Sequence, residues 1–125
     1  MKYSTTSKKS VQEVVNAIIK NSEAKDFGVT TVHNVSAMLH ERGASLSDDY
    51  QILYISNPHY VLNLLSTSID ESMIQPSKIV IRTEDNRTVI MMVKLKQSYQ
   101  NFTHRLDEMD HKVEREMLSI VNLSK

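Results

Sequence analysis

Two β-branched runs joined by four turn-forming residues constrain the fold of this chain more than any other feature. Residues 78–83 read Lys78-Ile79-Val80-Ile81-Arg82-Thr83, and residues 88–95 read Thr88-Val89-Ile90-Met91-Met92-Val93-Lys94-Leu95. Such runs fit a pleated, half-buried surface. The linker Glu84-Asp85-Asn86-Arg87 holds Asp and Asn side by side, two residues that tolerate the positive φ of a tight hairpin turn. A hairpin cannot bury its apolar face alone, so the rest of the chain must supply more strands and a covering layer.

The remaining segments supply both. Residues 3–6, rich in Tyr and Thr, suit a short first strand. Ser10-Val11-Gln12-Glu13 has the form of a capping box: the Ser hydroxyl meets the amide of Glu13, and the Glu carboxylate reaches back to Ser10. Val11, Val14, Val15, Ile18 and Ile19 follow at helical spacing and form one apolar stripe. That helix is predicted to run to about Lys25 and to stop at Phe27-Gly28, with Gly28 taking the left-handed conformation. Residues 29–35 read as a strand whose alternation sets Val29, Thr31, His33 and Val35 on one face. Ser36 then caps a short helix over 37–42, closed by Gly43. Residues 50–55 are apolar on both faces, which predicts a central strand. It ends at Asn57-Pro58, a cap residue followed by a residue suited to the first helical position. Val61, Leu62, Leu64, Leu65 and Ile69 make the next apolar helix. From Tyr99 onward Phe102, Leu106, Met109, Val113, Met117, Ile120 and Leu123 recur near heptad spacing, with acidic and basic residues on the other face. The order is β-α-β-(short α)-β-α-β-β-α, an α+β fold with a mixed sheet and helices packed on one face, plus a long C-terminal amphipathic helix.

Composition narrows the function classes. The 125 residues suit a single domain, and the 15 Lys+Arg balance the 15 Asp+Glu. No broad field draws the chain to nucleic acid or to an anionic membrane, so neither is expected as a partner. No cysteine is present, which removes disulfides and thiolate chemistry. The longest apolar run, Val89-Ile90-Met91-Met92-Val93, is far short of the roughly 20 residues a membrane helix needs. No apolar stretch follows the N-terminal charges, so no signal peptide is read and the expected location is the cytoplasm.

Tyr50-Gln51-Ile52-Leu53-Tyr54-Ile55-Ser56-Asn57-Pro58, followed by an apolar helix and then Ile74-Gln75-Pro76-Ser77-Lys78-Ile79-Val80-Ile81, resembles the domain-of-unknown-function family numbered 302. The step Phe27-Gly28-Val29 and the Asp85-Asn86 turn fall where that pattern expects them. The resemblance covers about residues 1–96, and the final helix, 97–125, is read as an extension packed on the domain or at a dimer interface. It implies a curved, mostly antiparallel sheet backed by helices, in a TATA-binding-protein-like layout, and usually a homodimer. It implies no established activity. Relatives often carry Cys at the positions of Ser56 and Ser77, so a thiol-based role does not transfer to this chain.

Few side chains converge on chemistry. His104 and His111 are seven apart, which on one helix separates them by about 10 Å along the axis, too far for a metal pair. Exposed histidine is the ordinary reading of His33, His40, His59, His104 and His111, and a site shared between two subunits through His104 or His111 is the one metal arrangement left open. Asn57-Pro58-His59 stands at a helix start, where amides favour anions, although simple capping by Asn57 explains it as well. Ser56 and Ser77 would line a crevice beside it, without the turn that activates a nucleophilic serine. The expectation is a non-enzymatic binding or interaction module. It is read as a homodimer through Phe102, Leu106, Met109, Val113, Met117 and Ile120, with a small anionic or apolar ligand near Ser56, Asn57, His59 and Ser77. No catalytic residue, metal or cofactor is assigned. The alternatives are a small enzyme using His59 for acid–base work on a small anion, and a subunit of a larger assembly joined through the C-terminal helix.

Overall fold

A computed structural model describes residues 2–45, 48–102 and 105–125. Five strands, β1 (Lys2–Ser7), β2 (Gly28–Asn34), β3 (Tyr50–Ser56), β4 (Ser77–Glu84) and β5 (Arg87–Val93), form one sheet in the order β1-β5-β4-β3-β2. Every neighbouring pair is antiparallel. The helical segments are α1 (Val11–Glu23), α2 (Val35–Glu41), α3 (Pro58–Thr67), the single turn α4 (Leu95–Ser98) and α5 (Glu108–Ser124), with a 3-10 turn at Glu71–Ile74. The α+β expectation, mostly antiparallel and helix-backed, holds.

The hairpin forms as the turn chemistry requires: Asp85 and Asn86 adopt φ of 51° and 64°, and Glu84 stands opposite Arg87. The register then aligns Leu53 with Ile79, Ile79 with Met92, and Ile81 with Ile90. These residues, with Ile55, share one face of the sheet and are fully or nearly buried. Val11, Val14, Val15 and Ile18 of α1 close over them, and α5 packs beside α1 with Val113, Met117, Ile120 and Val121 in the same core. Each fully buried aliphatic side chain of this kind contributes roughly 1.5–3 kcal/mol.

Local corrections have local causes. The capping box of α1 is present: Ser10 Oγ accepts from Glu13 N at 3.1 Å, and Glu13 Oε1 accepts from Ser10 N at 3.2 Å. Those bonds from Ser10 hold the exposed Glu13 carboxyl below its ordinary pKa. The helix stop is built on Asp26, at φ 61°, and not on Gly28, which begins β2. A bulge at Thr30 breaks the alternation of β2: Val29 pairs with Ile55, while Thr31 and His33 pair with Tyr54 and Ile52 on the opposite face. Val35 lies in α2, and that helix is capped by Asn34, whose side chain accepts from Ala37 N at 2.9 Å. Ser36 instead accepts from Tyr50 N at 2.6 Å and ties α2 to β3.

The predicted long helix from Tyr99 is shorter. A second capping box, Asp107 with Asp110, starts α5 at Glu108. Phe102 and Leu106 therefore precede the helix, each half-buried against the core. The stripe continues as helix from Met109 on.

Candidate functional site

Asn57 ends β3 and caps α3, its side-chain oxygen accepting from His59 N at 2.9 Å and from Tyr60 N at 3.2 Å, with Pro58 in the first turn. Both amides that an anion would meet there are already engaged. His59 is exposed and lines a cavity of about 230 Å³ with Asn57, Lys25, Asp26, Lys112 and Glu116, where two cations and two carboxylates offset one another.

Ser56 and Ser77 lie elsewhere. Ser77 opens β4 opposite Ile55, and Ser56 extends β3 one residue further. A cavity of about 450 Å³ is lined by Ser77 with Tyr54, Gln75, Lys78, Met73 and Val93. A smaller one of about 200 Å³ is lined by Ser56 with Thr30, Val61 and Leu65, and Gln75 and Pro76 border both. The Gln75–Pro76 bond between them is cis. Lys78 Nζ lies 5.8 Å from the centre of the Tyr54 ring, and Gln75 Nε2 donates to Ser77 Oγ at 3.4 Å. The structure thus gathers Ser56 and Ser77 around one short segment and leaves Asn57 and His59 at a different cavity.

A buried polar chain lies behind that segment. Tyr60 OH donates to Asp110 Oδ1 at 2.5 Å, and the Tyr60 and Tyr99 hydroxyls are 2.8 Å apart. Asp110 Oδ2 also accepts from Asp107 N at 2.8 Å. A phenol has one proton, and a carboxylate accepts only; with the Tyr60 proton committed to Asp110, the proton between the phenols comes from Tyr99. Burial, reinforced by the hydrogen bond to Asp110, pushes the Tyr60 hydroxyl far above the ordinary phenol range. Burial likewise raises Tyr99, against the opposing effect of its hydrogen bonds with Tyr60 and Gln75. Both phenols are neutral at physiological pH, and they tie α3, the end of α4 and the start of α5 to Gln75.

Sequence reasoning missed this chain. The heptad pattern leaves Asp110 among the charged residues opposite the apolar stripe, and Tyr60 stands outside the apolar set of α3. The signal was present as Asp107-x-x-Asp110, a capping pair whose second carboxylate has an oxygen left for an inward partner. Of the expected interface residues, Val113, Met117 and Ile120 are buried in the chain's own core, and Phe102, Leu106 and Met109 pack against it half-buried. His111 is exposed, whereas His104 falls outside the described residues. Among the described residues no three His, Asp or Glu side chains come together as a metal site, and no helix is long and apolar enough to cross a membrane.

A family model described as "Domain of unknown function DUF302" matches residues 3–123. The match runs past residue 96 and takes in most of α5. A crystal structure of an uncharacterised conserved DUF302 protein from Bacillus stearothermophilus is similar throughout, with a TM-score of 0.92, 21% identity, and coverage of 99% of this chain and 98% of that one. At that identity the likeness is one of fold. No curated protein matches the chain.

Proposed function

The chain belongs to the DUF302 family, and on that footing we propose that it is a non-enzymatic binding module, a homodimer whose subunits each take a small amphipathic anion beside Gln75–Pro76. The observation that carries this reading is the lining of the 450 Å³ cavity. Lys78 supplies one ammonium, Ser77 and Gln75 supply hydroxyl and amide groups, and Tyr54, Met73 and Val93 supply apolar surface. None of these six is acidic. A ligand with one anionic end and a short apolar body satisfies such a lining, because the charge meets Lys78 while the body removes Met73 and Val93 from water.

Acid–base catalysis finds less support. His59 and Ser77 line different cavities, and the Asn57 side chain is spent on capping. The buried phenols of Tyr60 and Tyr99 hold their protons firmly and are bonded to one another.

Titration of labelled protein with octanoate, observed by NMR, tests the ligand reading. Saturable shifts are expected at residues 73–78 and at Val93, with little response to octylamine. Lys78→Met is expected to weaken octanoate roughly fivefold, the size of a partly exposed ion pair. Equal binding of the acid and the amine, or shifts confined to the cavity beside His59, would overturn it.

A further inference from the structure

The seven methionines hold all the sulfur of this chain, since it has no cysteine. Their surroundings differ widely. Met92 and Met117 are 3% and 1% exposed and belong to the core. Met38, Met91 and Met109 are half-buried. Met73 is 78% exposed, the highest figure among the exposed large hydrophobic side chains of the described residues. It stands in the 3-10 turn Glu71–Ile74 and lines the cavity of about 450 Å³ together with Lys78, Gln75, Ser77, Tyr54 and Val93.

Exposure decides reactivity here. A thioether is oxidised at its sulfur, and a peroxide reaches a solvent-exposed sulfur far sooner than one packed on all sides. With no thiol in the chain, no cysteine intercepts the oxidant. A lone pair of Met73 Sδ attacks one oxygen of a hydroperoxide. An S–O bond forms as the O–O bond breaks, the sulfur gives up two electrons, and the other oxygen leaves with the proton as water or an alcohol. The product is a sulfoxide, a polar acceptor where a flexible apolar side chain stood.

The fold tolerates that change and the cavity does not. Ile74 holds the turn against the core, whereas Met73 is outside the core cluster. A sulfoxide at Met73 therefore stays in water and costs the core nothing. In the cavity, Met73 is one of the side chains that provide the apolar lining, and Lys78 is the ammonium. Oxidation removes part of that apolar surface. It also offers the ammonium an acceptor in competition with the anionic end of a ligand.

We propose that Met73 is an oxidation site for hydroperoxides, and that its sulfoxide lowers the affinity of the cavity for an amphipathic anion. The second half rests on the ligand reading of the proposed function; the first half does not. A ligand that covers the sulfur also shields it from peroxide.

Dilute hydrogen peroxide on the full chain, followed by peptide mass spectrometry and by NMR titration with octanoate, tests both halves. Met73 is expected to gain oxygen at least about tenfold faster than Met92 and Met117, with an unchanged circular dichroism spectrum. Saturating octanoate is expected to slow that reaction severalfold, and octylamine to leave it unchanged. The sulfoxide is expected to raise the octanoate dissociation constant roughly fivefold, the size of a lost, partly buried apolar contact. Treatment with both methionine sulfoxide reductases is expected to restore it. Met73→Leu is expected to keep its own octanoate affinity through the same peroxide treatment, and Met73→Gln to bind octanoate as weakly as the sulfoxide does. Oxidation of Met92 or Met117 as fast as Met73 would overturn the site. Three results would overturn its effect on the cavity: a sulfoxide that binds octanoate as tightly as the native chain, an oxidation rate indifferent to octanoate, or a loss of affinity in oxidised Met73→Leu. Native protein that does not bind octanoate would overturn the ligand reading and the second half with it, while the mass spectra still decide the oxidation site.

Discussion

α1 and α3 both read as helices with apolar stripes, both begin at well-made caps, and they place their apolar residues differently. In α1 the stripe chosen by periodicity is the buried one: Val11, Val14, Val15 and Ile18 are at most 1% exposed. In α3 the residues read the same way, Val61, Leu62, Leu64, Leu65 and Ile69, divide: Leu64 enters the core with Tyr60, while Leu62 and Leu65, and Ile69 just past the helix end, are exposed. Periodicity finds an apolar face; it does not say whether that face meets the chain's own sheet or something outside it. α1 is charged on its outer side, which leaves one orientation to choose from. α3 carries no Asp, Glu, Lys or Arg and has leucines on both its inner and outer sides, so charge does not choose between its faces. The Tyr60 hydroxyl tips the balance, because inside the fold it reaches Asp110 and Tyr99.

The widest test of this contrast is truncation on each helix. Ile18→Ala is expected to lower unfolding stability in urea by about 2–5 kcal/mol, from lost burial and the cavity left behind. Leu62→Ala, at protein concentrations low enough to hold the chain monomeric, is expected to change it by less than about 0.5 kcal/mol. A large loss at Leu62 would mean that the outer face of α3 is covered within one chain.

Tyr60→Phe is the next largest. It removes the hydroxyl that orients α3 and leaves a buried Asp110 oxygen without that donor, an expected cost of about 1–3 kcal/mol. The pH dependence has a definite sign. The folded state holds the phenol protons to higher pH than the unfolded chain does, so their contribution is fully present below the ordinary phenol value of 10.0 and is lost as pH rises above it. Stability should therefore fall more steeply above pH 10 in wild type than in Tyr60→Phe. Parallel curves from urea titrations at pH 8 to 11 would remove the buried phenol as the cause.

The caps give the smallest effects and the cleanest comparison between the two helices. Ser10→Ala and Asn57→Ala are each expected to cost about 1 kcal/mol. Their pH responses should differ. Glu13, held below its ordinary pKa by the Ser10 box, contributes above the unfolded carboxylate range, and that contribution is lost as pH falls through its folded value. Asn57 has no such partner. Acid titration of wild type and Glu13→Gln, followed by circular dichroism, checks the difference.

Local chemistry made the sheet and the main helices legible. The hairpin depends on Asp85 and Asn86 accepting positive φ, the start of α1 on Ser10 and Glu13 three residues apart, and the start of α3 on Asn57 before Pro58. Each of these is settled within a few residues, so reading them needs no knowledge of distant neighbours. The bulge at Thr30 and the left-handed Asp26 were not legible, since other residues could have taken either role and packing between strand and helix chose among them. The site was legible only in part. Ser56 and Ser77 line two cavities that share Gln75 and Pro76, Asn57 and His59 line another, and the Tyr60–Tyr99–Asp110 chain joins residues up to 50 positions apart. Contacts of that range follow from how helices dock. The same docking encloses Val113, Met117 and Ile120 and turns Leu62, Leu65 and Ile69 outward, because burial is shared among all the apolar faces a chain offers, and no single segment carries the information to say which face is left over.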